Sequence, residues 1–127
     1  MSLSDPVGEF EFSSRGLTVS DPSSGGGGSI TVDYEGTATG YGVVASSMTF
    51  TVQQAGAKSG TVAANNIAWL ENGDSLNGVS RGVFSSSGTN TWRVRAMVIV
   101  SDGTVLLSEG EVSLAERTYK GKLYAWE

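Results

Sequence analysis

Arg93 and Arg95 precede a turn, and Glu109 and Glu111 follow it, in the stretch WRVRAMVIVSDGTVLLSEGEV (Trp92–Val112). Brought together, such side chains can hold a carboxylate or an enolic oxygen, with arginine as a bidentate donor and Tyr124 as a proton donor. The same residues can equally form a solvated ladder of opposite charges that fixes the register of paired strands and does no chemistry. The face they occupy decides between the two.

Other polar groups divide in the same way. Glu9, Glu11, Asp33 and Glu35 offer oxygen ligands for a hard cation, yet their alternate spacing is also that of the outer face of two strands. No calcium-loop pattern accompanies them, and neither a metal nor a cofactor is expected. Asn65, Asn66 and Asn77 with Trp69 form a polar–aromatic group of the kind that orients a ligand at a barrel mouth, or else asparagines that satisfy backbone groups near turns. Ser85, Ser86 and Ser87 would need a base to act as nucleophiles. The chain contains no histidine and no cysteine, so only Asp, Glu, Lys or Tyr remain for that task, and serine–histidine catalysis, thiol nucleophiles and thiolate metal sites are excluded within one chain.

The glycine run SSGGGGS (Ser23–Ser29) lacks the Gly-Lys-Ser/Thr that completes a phosphate cradle, and strand-like sequence follows it; a flexible loop is expected. A net charge of −5 with only 8 Lys and Arg weighs against nucleic acid or an anionic membrane as partner. No apolar run is long enough to span a bilayer, and MSLSDPVGEF lacks the regions of a signal peptide, so a soluble cytoplasmic protein is expected.

The elements that position these residues follow from composition. With 127 residues, 18 glycines and 2 prolines, and almost no helical periodicity, the chain suits one all-β domain over residues 1–127. Strands are expected over Val7–Ser13, Ile30–Thr39, Tyr41–Gln53, Thr61–Leu70, Ser75–Ser85, Thr91–Val100, Thr104–Leu114 and Thr118–Trp126. ENGD (71–74), SDG (101–103) and AERT (115–118) mark tight reversals. A meander of this length leaves exposed edges unless it closes, which favours a single antiparallel eight-stranded up-and-down barrel with little or no helix.

A turn over SDG with Gly103 in the left-handed position pairs Val100 with Thr104, and so Arg93 with Glu111 and Arg95 with Glu109. Reversal about Glu116 and Arg117 then sets Lys122 opposite Glu111, Tyr124 opposite Glu109 and Trp126 opposite Leu107. Charges from three neighbouring strands are too costly to bury, so this face points to solvent and the ladder is expected to be structural. Leu70 is placed opposite Leu76 around ENGD.

The inward set that follows includes Phe10, Phe12, Ile30, Val32, Tyr34, Val44, Met48, Phe50, Val52, Val62, Phe84, Trp92, Val94, Leu106, Val112, Leu114, Tyr119 and Leu123. Among these on the same inward face lies a belt of small residues, clustered on strands five to eight: Gly78, Ser80, Gly82, Ala96, Ser108, Gly110, Gly121 and Ala125. An apolar pocket beside the belt is expected, with Trp92, Phe84, Met48, Phe50 and Tyr34 as ligand-binding candidates. Outside, Ile67, Trp69, Met97, Leu107 and Trp126 suggest a patch buried in a homo-oligomer.

The glycine-punctuated hairpins VDYEGTATGYG and LNGVSRGVF, followed by LLSEGEVSLAERTYKG, resemble those of calycin-type small barrels, and within them the allene oxide cyclase barrel-like group. The resemblance lies in architecture and glycine rhythm over most of the chain; no residue of a family site can be carried over. It implies a barrel that binds a hydrophobic molecule, and in some members cyclises or isomerises it. Three functions are thus expected to compete: a binding barrel for a small apolar molecule, a cofactor-free cyclase or isomerase that shapes its substrate, and an oligomeric scaffold without ligand.

Overall fold

The computed structural model describes residues 5–20, 27–54 and 56–126. Period-two alternation of apolar and polar residues produces β1 (Gly8–Val19), β2 (Gly28–Ala38), β3 (Gly42–Val52), β4 (Ser59–Trp69), β5 (Ser75–Gly88), β6 (Thr91–Val100), β7 (Val105–Ser113) and β8 (Thr118–Ala125). Each strand pairs antiparallel with the next, and β1 pairs with β8 from Gly8↔Leu123 to Ser13↔Thr118, which closes the barrel. Closure satisfies the backbone groups that a meander would leave on its edges. Of the Ser23–Ser29 run, Gly28 and Ser29 already belong to β2, and 23–26 lie outside the described residues. Among the described residues no helix is long and apolar enough to cross a membrane.

Two hairpins share one turn chemistry. At Ser101–Gly103 the Gly103 N–H donates to the Val100 carbonyl at 2.9 Å, Gly103 takes φ 93°, and the Thr104 N–H donates to Asp102 Oδ1 at 3.0 Å. At Glu71–Gly73 the Gly73 N–H donates to Leu70, Gly73 also has φ 93°, and the Asp74 N–H donates to Asn72 Oδ1 at 2.9 Å. Glycine accepts the left-handed conformation without cost, and the preceding Asn or Asp side chain caps the next backbone donor.

The SDG register holds: Arg93 lies opposite Glu111 and Arg95 opposite Glu109. The other two reversals depart from expectation by an even step. Leu70 faces Asp74 through the Leu70 N–H to Asp74 carbonyl bond at 2.8 Å, so Leu76 pairs with Ala68 rather than Leu70. The β7–β8 reversal closes over Leu114–Arg117, with Ser113↔Thr118 as the last pair. Lys122 therefore faces Glu109, Lys120 faces Glu111 and Tyr124 faces Leu107. Even steps leave the paired side chains on their expected faces, but Leu114, expected inside, now lies in the reversal and is exposed.

With this register the charges alternate across four strands. Arg95–Glu109–Lys122–Glu9 and Arg93–Glu111–Lys120–Glu11 run side by side over the outside of β6, β7, β8 and β1. Glu109 takes both arginines, at 3.8 Å from Arg93 and 3.4 Å from Arg95. The rows form a solvated ladder, where each pair contributes a few tenths of a kcal/mol and opposite signs disfavour slippage. Glu109→Gln should therefore lower stability by no more than about 1 kcal/mol in urea unfolding, and added salt should shrink even that.

The core collects Phe10, Phe12, Val32, Tyr34, Val44, Met48, Val62, Phe84, Val94, Leu106, Val112, Tyr119 and Leu123. Its three phenylalanines stand directly opposite glycines: Phe12↔Gly36, Phe10↔Gly121 and Phe84↔Gly60. Each ring thus has room against bare backbone; a β-carbon at Gly36 would overlap the Glu11 carbonyl and press on Phe12, and one at Gly60 would overlap the Thr51 carbonyl and press on Phe84. Within the belt that suggested a hollow interior, Gly121 stands opposite Phe10 and a β-carbon at Gly110 would press on Phe10 and Tyr119, so part of it serves to seat rings, as Gly36 and Gly60 do elsewhere.

β1 runs well beyond Ser13, the limit that its alternation suggested. A bulge sets Arg15 and Gly16 against Asp33, between Ser14↔Tyr34 and Gly16↔Asp33. The extra residue inverts the parity, so that even-numbered Phe10 and Phe12 point inward before it and odd-numbered Leu17 and Val19 share the face of Val32 and Ile30 after it. Past Ser13 the strand no longer pairs with β8, and β1 continues with β2 as a ribbon beyond the barrel wall.

Candidate functional site

The barrel has two ends of different character. At one end lie the β2–β3, β4–β5 and β6–β7 turns; at the other lie the β3–β4, β5–β6 and β7–β8 connections and the β1–β2 ribbon. A layer of rings crosses the middle, with Phe10 and Tyr119 centroids 4.8 Å apart, Phe12 and Tyr119 6.1 Å apart, and Tyr34 and Tyr119 5.7 Å apart. The two Phe–Tyr119 pairs are edge-to-face, a geometry that packs rings tightly, and the Tyr34–Tyr119 pair is tilted.

On the turn side of this layer is a cavity of about 100 Å³, lined by Met48, Ala64, Asn66, Ser80, Ala96, Val98 and Ser108 among others. This is the space beside the small-residue belt. It holds a few waters or a very small molecule, short of the roughly 300–1,000 Å³ that small-molecule sites occupy. Several of its polar groups bond to one another or to the wall: Asn66 Nδ2 donates to Ser80 Oγ at 3.0 Å, and Ser108 Oγ to the Ala96 carbonyl at 3.4 Å.

On the ribbon side is a basin of about 740 Å³ that shares no lining residue with the cavity. Its floor is Tyr34, Phe84 and Val112, its wall is Phe50, Val52 and Trp92, and its rim is Leu17, Val19, Ile30 and Leu114. Phe50 meets Phe84 edge-on at 5.4 Å. The rim residues are 56%, 63%, 40% and 53% exposed, which makes them an uncovered apolar surface around a concavity.

The five candidate ligand residues are therefore divided: Tyr34, Phe50, Phe84 and Trp92 line the basin, whereas Met48 lines the inner cavity across the ring layer. The bulge explains why Leu17 and Val19 escaped the inward set; their parity is opposite to that of Phe10 and Phe12. Gly16 beside a charged residue was the one local sign of it.

The remaining candidates do not assemble. Asn65 points outward opposite Val79, Asn66 points inward, and Trp69 lies outside between Val43 and Ser75. Ser87 Oγ donates to Glu111 Oε2 at 3.3 Å and lies within hydrogen-bond distance of the Thr91 hydroxyl at 3.1 Å, tying down the β5–β6 connection. Tyr124, expected opposite Glu109 in the Arg95 row, faces Leu107 one pair along, and shares only a shallow outer-wall hollow with Arg95 and Glu109. Asp33 accepts from Ser47 and Glu35 pairs with Arg15, so each has a local partner.

Burial pushes the Tyr34 hydroxyl up to about 12, and Tyr119 is raised further by the same cause, opposed by a hydrogen bond with Ser108. At neutral pH both remain phenols that can donate but cannot act as bases. Ionisation of Tyr34 is easier in the unfolded chain, at its ordinary 10.0, so the stability present below that pH is lost as pH rises toward about 12. Alkaline titration should accordingly show Tyr34 and Tyr119 ionising only as the barrel unfolds. Early, reversible ionisation of all tyrosines with the fold intact would contradict their burial.

Comparisons with family models, with curated proteins and with solved structures returned no match. What stands is a small closed eight-stranded antiparallel barrel with an apolar basin at one end.

Proposed function

We propose that the protein binds a small apolar molecule in the basin between the barrel mouth and the β1–β2 ribbon. The observation that supports this most is the combination of size and lining: about 740 Å³ bounded by Tyr34, Phe50, Phe84, Trp92 and an exposed apolar rim. Such a volume falls within the range of small-molecule sites, and release of water from its walls favours an apolar occupant. The hairpin resemblance to calycin-type barrels and the allene oxide cyclase barrel-like group agrees with this reading. A cyclase or isomerase would use the same basin as a mould. Its described lining offers Tyr34 as a donor and no carboxylate or histidine as a base, which favours binding over proton abstraction. Titration with a medium-chain alcohol should give saturable quenching or enhancement of Trp92 fluorescence, lost in Trp92→Phe; an unchanged signal together with no heat of binding would overturn the proposal.

A second reading rests on a separate observation on the outer wall. Val79, Ile99, Val105 and Trp126 form one row across β5 to β8, with Met97, Leu107 and Tyr124 in the next. Ile67 joins only diagonally, beside Asn77, and Trp69 lies apart with Val43, so the patch is narrower than the sequence suggested. A second copy of the chain covering it would bury roughly 1,200 Å² or more in total. Sedimentation should then show an oligomer that Ile99→Lys dissociates without unfolding; a monomer at micromolar concentration would count against self-association.

A further inference from the structure

The basin has a charge signature opposite to that of the chain. The protein carries a net −5, yet the described residues that line the basin include Arg15 and Arg117 and no aspartate or glutamate. Arg117 is tied to the residue before Arg15 where β1 leaves β8: the Ser14 N–H donates to the Arg117 carbonyl at 2.8 Å. Arg15 is held at 3.6 Å by Glu35, whereas Arg117 makes no ion pair among the described residues.

The backbone singles out the same residue. Arg117 has φ 57°, in the left-handed region that a β-carbon disfavours. The other described residues with positive φ are glycines and Asn90, and Gly73 and Gly103 occupy the left-handed positions of the two turns at the opposite end. Glycine would close the Leu114–Arg117 turn without strain, so a long cationic side chain stands there at a conformational cost.

We infer that the occupant of the basin is an anionic amphiphile, with its apolar body against Leu17, Ile30, Phe50 and Trp92 and its charged head at the Arg117 guanidinium. The inference rests on the basin being the binding site and adds the class of ligand. A guanidinium at the rim of an apolar basin makes charge-assisted hydrogen bonds to a carboxylate or other oxyanion while the rest of the ligand leaves water. A neutral ligand of the same length gains only the second effect.

The test compares dodecanoate with dodecan-1-ol, each below its aggregation concentration, by calorimetry on the wild-type chain, Arg117→Gln and Arg117→Gly. The wild type should bind the acid roughly tenfold or more tighter than the alcohol, and salt should narrow the gap. Both variants should bind the two alike. Arg117→Gly should in addition melt at a higher temperature, because it relieves the left-handed strain, so loss of the acid preference cannot be ascribed to misfolding. Equal binding of acid and alcohol by the wild type overturns the anionic class and leaves the basin as an apolar site, whereas a preference that survives in Arg117→Gly overturns the placement of the charged head at Arg117. Absence of binding by either probe overturns the basin reading itself, and this inference with it.

Discussion

Gly82→Val destabilises the barrel by about 3 kcal/mol or prevents folding altogether. Gly82 faces Ala96 across β5 and β6, and a β-carbon there would overlap the Arg95 carbonyl oxygen and the Ala96 α-carbon. Both are backbone atoms of a paired strand and cannot rotate away as a side-chain end can. Valine adds branching to this overlap, so the strands must separate or the residue must leave the interior. If the belt instead bordered an open pocket, the valine would simply fill it and stability would hardly change. Ala96→Leu provides the contrast, since Ala96 borders the cavity of about 100 Å³ and has some room for added carbons; its cost should be clearly smaller. Urea unfolding of the two variants separates these outcomes, and near-native stability of Gly82→Val would mean that the interior is emptier than described.

Introducing aspartate at Leu17 and Ile30 together lowers the affinity of an apolar ligand by roughly a hundredfold or more. The two side chains belong to the basin rim, on neighbouring strands of the β1–β2 ribbon. In the free protein they are 56% and 40% exposed, so carboxylates there stay hydrated and the fold should tolerate them. Bound ligand would strip water from those carboxylates without offering a partner, and an anionic head would also be repelled. Calorimetry with thermal unfolding on the same sample tests both halves. Undiminished affinity would move the ligand elsewhere, and a collapsed melting temperature would show that the rim supports the barrel.

What the sequence disclosed depended on how local the responsible signal was. Strand number, closure and the inward faces followed from alternation and from the cost of open edges, and the SDG register followed from a turn whose glycine and aspartate have defined places. The Leu114–Arg117 turn was harder to read, because its left-handed position is held by an arginine and no glycine announces it. The β7–β8 register consequently slipped by an even step, which preserved faces but moved Lys122 from Glu111 to Glu109. The basin was hidden for two further reasons. The bulge at Arg15 and Gly16 broke the alternation that defines an inward face, and the small-residue belt resembled empty space although Phe10 and Tyr119 pack against its Gly110 and the Ala96 backbone lies close against its Gly82. Both are consequences of three-dimensional contact between strands that no single segment reports.

The most direct test locates a bound apolar probe by intermolecular nuclear Overhauser effects from dodecan-1-ol to assigned methyl groups. The two volumes have disjoint linings, so the methyls discriminate between them. Binding in the basin predicts contacts to Leu17, Val19, Ile30, Val52 and Leu114, and none to Ala64, Ala96, Val98 or Leu106. Contacts confined to the inner cavity methyls, or to Val79 and Ile99 on the outer wall, would contradict the assignment of the basin as the ligand site.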